Sequence, residues 1–272
     1  MHGTVRDLGY AHARIDHQPS ARAAGPASGA REEEALMTPA AVVELLPVFN
    51  ELDILQARIT LMDGAVDRHI VTEGDHTHQG DPKPMYLDGI ALPEHVERYK
   101  AVMYPGSSDT LNWQRERFQR DTLMNFTGDL EPGTLLLSCD VDEIVDPAAI
   151  GRIAEACEHG PVSLDMRMLY YGTREDPNGW AAAKAFRAKH MPDSLSDLRL
   201  SRCPIVRDCG WHLSYLGDEA RRRTKIEAYA HAENRHPDTW TRIAAGRYGP
   251  NGESLIDADL MTLPPVLRDL IA

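Results

Sequence analysis

The stretch LLLSCDVDEIVD, residues 135–146, runs three leucines into four carboxylates: Asp140, Asp142, Glu143 and Asp146. In an extended segment residues two apart share a face, so Asp140 and Asp142 can aim at one spot. Two carboxylates there repel each other unless a cation lies between them. Mg²⁺ or Mn²⁺ suits the task, because such hard cations take oxygen ligands and often only one or two protein carboxylates. Water and phosphate oxygens complete the shell. A D-x-D triplet after an apolar strand therefore reads as a site for a metal and a diphosphate. The competing reading is a loop of helix-capping acids. Glu143 is either a further ligand or a group that orients its neighbours, and Asp146 is a helix cap.

Other residues can serve the same chemistry. In CGWHLSYLG, residues 209–217, Trp211 can stack on a base or sugar, and His212 is a usable metal ligand or proton carrier. On the WQRERFQRD segment, Arg117 and Arg120 are three apart and share a helix face with Gln114. They can reach phosphate or brace Asp140; the plainer alternative is an exposed Glu116–Arg120 pair. Arg221, Arg222 and Arg223 precede Lys225. Three consecutive arginines cannot share one helix face, so Arg223 or Lys225 is the candidate phosphate contact and the rest are solvated. In the polar loop EGDHTHQGDPKP, Glu73 ends a strand and can touch a nucleotide, while Lys83 can neutralise phosphate. His76 and His78 read as surface histidines of that loop.

The elements that must position these groups alternate. VVELLPVF reads as a strand, ELDILQARITLM as a helix ended by Gly64, and VDRHIVTE as the next strand. RYKAVMYP is strand-like, Trp113 to Phe126 a helix, and Pro132–Gly133 a turn before TLLLSCDVDEI. DPAAIGRIAEAC follows as a helix with Asp146 as N-cap and Pro147 in its first turn, and PVSLDMRMLYYGT returns as a strand. Strands alternating with helices predict an α/β sheet covered on both faces. Ligands of such sheets lie beyond the carboxyl ends of the strands, where the acidic cluster falls.

The chain has 272 residues, 42% hydrophobic and 26% charged, enough for one large domain. Residues 1–36, rich in Pro, Gly, Ser and Ala, read as a poorly ordered extension with Met37 as an alternative start; 37–272 form the domain. No run of eighteen apolar residues and no apolar signal centre appears. The expected location is cytoplasmic or membrane-peripheral, without a transmembrane segment. A net charge of −13 argues against a nucleic-acid partner. It also means that an anionic substrate needs a local metal or arginines. The four cysteines form no C-x-x-C pair. Cys139 reads as a small buried hydrophobe, and Cys203 with Cys209 as reduced thiols.

Several segments occur in an order that resembles glycosyltransferase family 17: FNELDIL, VTEGDHTHQGDPKPMYL, WQRERFQRD, CDVDEI, LDMRMLYYG and CGWHLSYLG, over residues 47–233. Known members are β-1,4-mannosyl-glycoprotein 4-β-N-acetylglucosaminyltransferases of N-glycan synthesis. The resemblance implies a GT-A-like, Rossmann-related mixed sheet flanked by helices. It implies a UDP-sugar donor, with UDP-N-acetylglucosamine foremost, and a carbohydrate acceptor. Asp140 and Asp142 would hold Mn²⁺ or Mg²⁺ on the diphosphate, and His212 resembles the late histidine that joins them. His231 is a rival for that place. Where family members often carry Ser-Asn after the glutamate, this chain has Gly74 and Asp75. An inverting reaction needs a carboxylate base. Glu175 and Asp176 are placed for it in chain order, with Asp218 and Glu219 as alternatives. Two other classes remain open at this point: a metal-dependent nucleotidyltransferase or phosphoesterase, and a non-catalytic carbohydrate-binding protein with Trp113, Trp180, Trp211 and Trp240 as stacking surfaces.

Overall fold

A computed structural model describes residues 39–106, 108–230, 236–245, 249, 252 and 254–272. The extension 1–36, Met37 and His231 lie outside the described residues. The apolar run after Ala41 forms β1 (Val42–Val48), and the chain turns back through helix α1 (Leu52–Leu61) into β2 (Arg68–Gly74) and then β3 (Val96–Ala101). Strand β3 stops at Ala101 because its partner β2 ends at Gly74, the residue it faces. Helix α2 (Asp109–Thr122) starts earlier than the apolar spacing indicates, since the Ser108 hydroxyl caps it by accepting from the Leu111 amide at 3.2 Å. A 3₁₀ turn, Leu123–Phe126, closes it. Next come β4 (Leu135–Ser138), β5 (Glu143–Val145) and α3 (Ile150–Ala156), with Asp146 capping the 3₁₀ turn that begins at Pro147.

The expected single strand over PVSLDMRMLYYGT is two strands. It breaks at Asp165 into β6 (Val162–Leu164) and β7 (Met166–Tyr170), which belong to different sheets. At the corner the Asp165 amide and carbonyl bond to the Val206 carbonyl and the Cys209 amide. There follow β8 (Arg174–Trp180), β9 (Lys184–Arg187), α4 (Leu195–Leu200), β10 (Ile205–Val206), β11 (Gly210–Ser214) and α5 (Glu219–Ala228). Helix α6 (Pro237–Ala245), β12 (Ile256–Asp257) and α7 (Pro265–Ile271) end the chain.

The result is a mixed α/β fold with two mixed sheets. The larger runs β10-β6-β9-β4-β1-β2-β3, with β3, β2, β1 and β4 parallel and β9 antiparallel to both its neighbours. The smaller runs β12-β8-β7-β11-β5. Strand order reverses between β1 and β4, and the acidic turn follows β4 there, at the place such sheets offer ligands. Gly210 lets β11 close on β5. Its φ is +148°, and a Cβ would lie 2.0 Å from the Ile144 carbonyl oxygen.

One buried polar cluster ties the larger sheet to that turn. Glu44 of β1 and His69 of β2 are register partners, both fully buried, with His69 Nδ1 2.7 Å from Glu44 Oε2. Arg58, on the inner face of α1, donates to Glu44 through Nε at 3.0 Å and Nη2 at 2.7 Å. Its Nη1 donates to the carbonyls of Asp140, Val141 and Glu143 at 2.9, 3.2 and 2.8 Å. The guanidinium therefore saturates its donors between a carboxylate below and the acidic turn above. Removing it leaves Glu44 charged and buried. Arg58→Met is expected to lower the unfolding free energy in urea by about 3–5 kcal/mol. Arg117→Met, which breaks the exposed pair with Asp197, should cost less than about 1 kcal/mol. Equal effects would show that the buried cluster contributes nothing special.

Candidate active site

The acidic turn distributes its carboxylates in different directions. Asp140 accepts from Arg120 of α2 at 2.6 Å on Oδ1 and from Arg199 of α4 at 2.7 Å on Oδ2. Glu143 is fully buried, where it accepts from Arg199 at 3.0 and 2.8 Å, from the Asp140 amide at 2.7 Å and from the Trp180 indole N–H. Asp142 accepts from Lys225 Nζ of α5 at 2.7 Å, and its other oxygen lies 3.5 Å from His212 Nε2. The expectation that Asp140 and Asp142 share one face of an extended segment is thus corrected. The chain turns at Val141–Asp142, which breaks the period of two and sends the pair to opposite groups of cations.

Electrostatics follow from those partners. Burial works against each charge and is outweighed. Arg120 and Arg199 bring the Asp140 carboxyl down to about 2 although Asp142 pushes it up. Lys225 and His212 hold Asp142 well below the ordinary carboxylate range. Arg199 lowers Glu143. Burial also opposes the Lys225 ammonium, yet Asp142 and Glu51 raise it well above the usual lysine value. Burial pushes the Cys139 thiol up to about 12, the behaviour of an inert core residue.

Asp142, His212, Lys225 and Arg120 are brought together with Asp140; the other candidates are not. Glu73 is buried and spends its oxygens on Lys83 Nζ and on the amides of Tyr86 and Leu87, so Glu73 and Lys83 pin their loop together. Arg117 is exposed against Asp197. Trp211 is 7% exposed and packs in the main core. Arg223 points outward over the Trp240 ring. Glu175 is held by both arms of Arg167, at 3.0 and 2.7 Å. Asp218 caps α5 by accepting from the Arg221 amide. Asp176 lies on the smaller sheet, in line with His212 across Met168.

Several site residues went unnoticed in the sequence. Arg199 bridges Asp140 and Glu143 from a segment that carries no motif. Trp180, considered only as a stacking surface, bonds Glu143 and lies 4.9 Å from the His212 ring. Arg221 and Arg222, expected to be solvated, instead line a shallow cleft with Asn50, Glu51, Tyr215 and Lys225. Arg221 grips Asp53 of α1, and Arg222 packs on Tyr171. The usable signal was the spacing to Lys225, which follows Arg221 by four positions and Arg222 by three, so that both arginines neighbour the lysine on the helix surface.

Among the described residues no group of three or more His, Cys, Asp or Glu is arranged to hold a metal. Both Asp140 oxygens are taken by guanidinium groups. Asp142 Oδ1 and His212 Nε2 face each other, and the opposite ring nitrogen, Nδ1, is buried without a hydrogen-bond partner among the described residues. That set fits a divalent cation shared with a diphosphate, whose oxygens and waters fill the shell. It does not fit a cation caged by protein alone.

The site thus gathers basic side chains around carboxylates beyond the carboxyl end of β4. A family model for glycosyltransferase family 17 matches residues 31–243. The chain belongs to glycosyltransferase family 17. It is a glycosyltransferase and acts on a sugar donor and an acceptor, which sets aside the nucleotidyltransferase, phosphoesterase and lectin readings. No curated protein matches the chain. No helix among the described residues is long and apolar enough to cross a membrane.

Acid should weaken this arrangement over one defined range of pH. Glu44, brought from 4.5 to about 2 against burial by Arg58 and His69, and Asp140 both have lowered folded-state values. The unfolded chain then binds more protons between about pH 4.5 and 2, so stability falls as the pH drops through that window. Glu44 alone accounts for something on the order of 3 kcal/mol. Urea midpoints measured at intervals from pH 5 to 2 should decline steadily, and less steeply in Glu44→Gln. A flat profile would contradict the ion-paired assignment.

Proposed function

We propose that this glycosyltransferase moves a sugar, N-acetylglucosamine first among candidates, from a UDP-sugar to a carbohydrate acceptor with inversion, on a GT-A-like scaffold and with Mn²⁺ or Mg²⁺. The observation that carries the reading is Asp142 with His212 and Lys225 beside a cleft rimmed by Arg221 and Arg222, at the carboxyl end of β4.

Breaking the bond between the anomeric carbon and the diphosphate builds negative charge on the leaving group. Donors fixed where charge develops contribute most to such a reaction. Lys225 is one: its ammonium is already charged and held, and it can share its hydrogen bonds between Asp142 and a phosphate oxygen. Arg222 and Arg221 extend the same positive rim. These three cations offset Asp142, Asp53 and Glu51, so the cleft is locally balanced on a chain of net charge −13. Asp142 and His212 would hold the cation, which when bound supplies Lewis-acid stabilisation of the leaving diphosphate. Asp140 and Glu143 act from behind, locking the turn through Arg120, Arg199 and Trp180.

Calorimetric titration of UDP, with and without Mn²⁺, tests this. Wild type should bind UDP more tightly with Mn²⁺, and Asp142→Asn should lose at least about tenfold in affinity, or 1.4 kcal/mol. Undiminished Mn²⁺-assisted binding in the variant would remove Asp142 from the donor site.

A further inference from the structure

The Asp142 carboxylate is claimed twice. As a candidate cation ligand it faces His212, with Oδ1 3.5 Å from Nε2. Its Oδ2 already accepts from Lys225 Nζ at 2.7 Å. The carboxylate is nearly buried, at 6% exposure, so both claims meet in one protected place. A monovalent and a divalent cation on a single buried carboxylate repel each other, and little water lies there to screen them. Lys225 therefore competes with the ion that Asp142 would hold. Deprotonation offers no escape, because Asp142 and Glu51 raise the ammonium well above the usual lysine value although burial opposes it.

Helix α5 determines what can move. Its first turn is tied to α1 by the Arg221–Asp53 pair and to the end of β11 by Arg222 Nε, which donates to the Tyr215 carbonyl at 3.2 Å. Beyond its last turn Gln79 donates to the Tyr229 carbonyl at 2.6 Å, and the Tyr229 and Tyr215 hydroxyls are bonded at 2.7 Å. With both ends held, the helix backbone keeps its place and the freedom lies in the flexible stem of Lys225. That stem has somewhere to go. Glu51 Oε1 is 3.9 Å from Nζ, and Glu51, Arg221, Arg222 and Lys225 line one cleft. A phosphate group entering that cleft offers the ammonium a new anionic partner without a shift of the helix.

Resting on the donor reading above, we propose that Lys225 is an internal counter-ion of Asp142 that makes cation binding conditional on the nucleotide diphosphate. Without nucleotide, Lys225 neutralises Asp142 and closes the carboxylate to Mn²⁺ or Mg²⁺. A diphosphate in the cleft draws Lys225 onto its own oxygens and so releases Asp142 for a divalent ion. No covalent bond changes and no proton moves. The consequence is an order of loading, in which free divalent ions do not fill the site ahead of the donor. By linkage, the factor by which UDP tightens Mn²⁺ equals the factor by which Mn²⁺ tightens UDP.

Titration of Mn²⁺ alone, followed by the electron paramagnetic resonance of the free ion, tests this beside calorimetry with UDP alone. Lys225→Met should bind Mn²⁺ at least about tenfold more tightly than wild type, and UDP without metal more weakly. Opposite signs for the two ligands mark a counter-ion, since a merely structural loss weakens both. Lys225→Arg, which keeps the charge, should bind Mn²⁺ alone no more tightly than wild type. The gain of Lys225→Met should vanish when Asp142→Asn is added. A second measurement uses wild type with isotope-labelled lysine. The Lys225 Nζ resonance, assigned by its loss in Lys225→Arg, should shift with saturating UDP in the absence of metal and stay in place with Mg²⁺ in the absence of UDP. Unchanged or weaker Mn²⁺ binding by folded Lys225→Met, or an Nζ resonance that UDP leaves unmoved, would overturn the proposal; Mn²⁺-assisted UDP binding lost in Asp142→Asn would still uphold the donor reading. Absence of UDP binding by wild type with Mn²⁺ would fell both.

Discussion

The Arg58 guanidinium is the constraint on which the site depends. A buried arginine is costly unless every donor is satisfied and its charge is matched. Here Glu44 matches the charge, and three carbonyls of the acidic turn take the remaining hydrogen bonds. The turn is therefore gripped by its backbone, leaving the side chains of Asp140, Asp142 and Glu143 to face outward partners. Because Glu44 sits mid-strand on β1 and His69 beside it on β2, the position of the turn is referred to the centre of the larger sheet. The parallel part of the larger sheet thus fixes a short turn that has no regular structure of its own.

A second layer of charge completes the arrangement. Asp140, Asp142 and Glu143 would repel one another in isolation; Arg120, Arg199 and Lys225 compensate them one for one. The two guanidinium groups are buried and serve the turn. Lys225 differs, since its side chain is 24% exposed and opens on the cleft. Of the three compensating cations, Lys225 is therefore the one most open to solvent. Helix α5 carries it into place, held by the Arg221–Asp53 pair and the stacking of Arg222 on Tyr171.

Much of this was legible in the sequence because local signals carried it. The apolar run into CDVDEI announced a buried strand ending in acids, the Asp146–Pro147 cap was readable, and the resemblance of the separated segments led to the family. What escaped depends on contacts far apart in the chain. Arg199 meets Asp140 across 59 positions and Arg58 meets Val141 across 83, and no periodicity reports such pairings. Glu44 did leave a trace, as a lone acid inside VVELLPVF; a charge buried in a strand demands a partner, and Arg58 on the inner face of the following helix was the nearest. Glu73 misled for a related reason: a polar residue at a strand end can serve its own loop as readily as a ligand. The break at Asp165 was hidden because both halves of the run are equally apolar.

Anomalous diffraction at the manganese edge, from crystals grown with UDP and Mn²⁺, tests most directly whether Asp142 marks the donor site. A manganese peak is expected in coordination contact with the Asp142 carboxylate and with UDP phosphate oxygens, the nucleotide lying along the cleft rimmed by Arg221 and Arg222, and Asp140 still paired with Arg120 and Arg199. A manganese peak at another group of residues, or UDP bound away from Asp142, would contradict it.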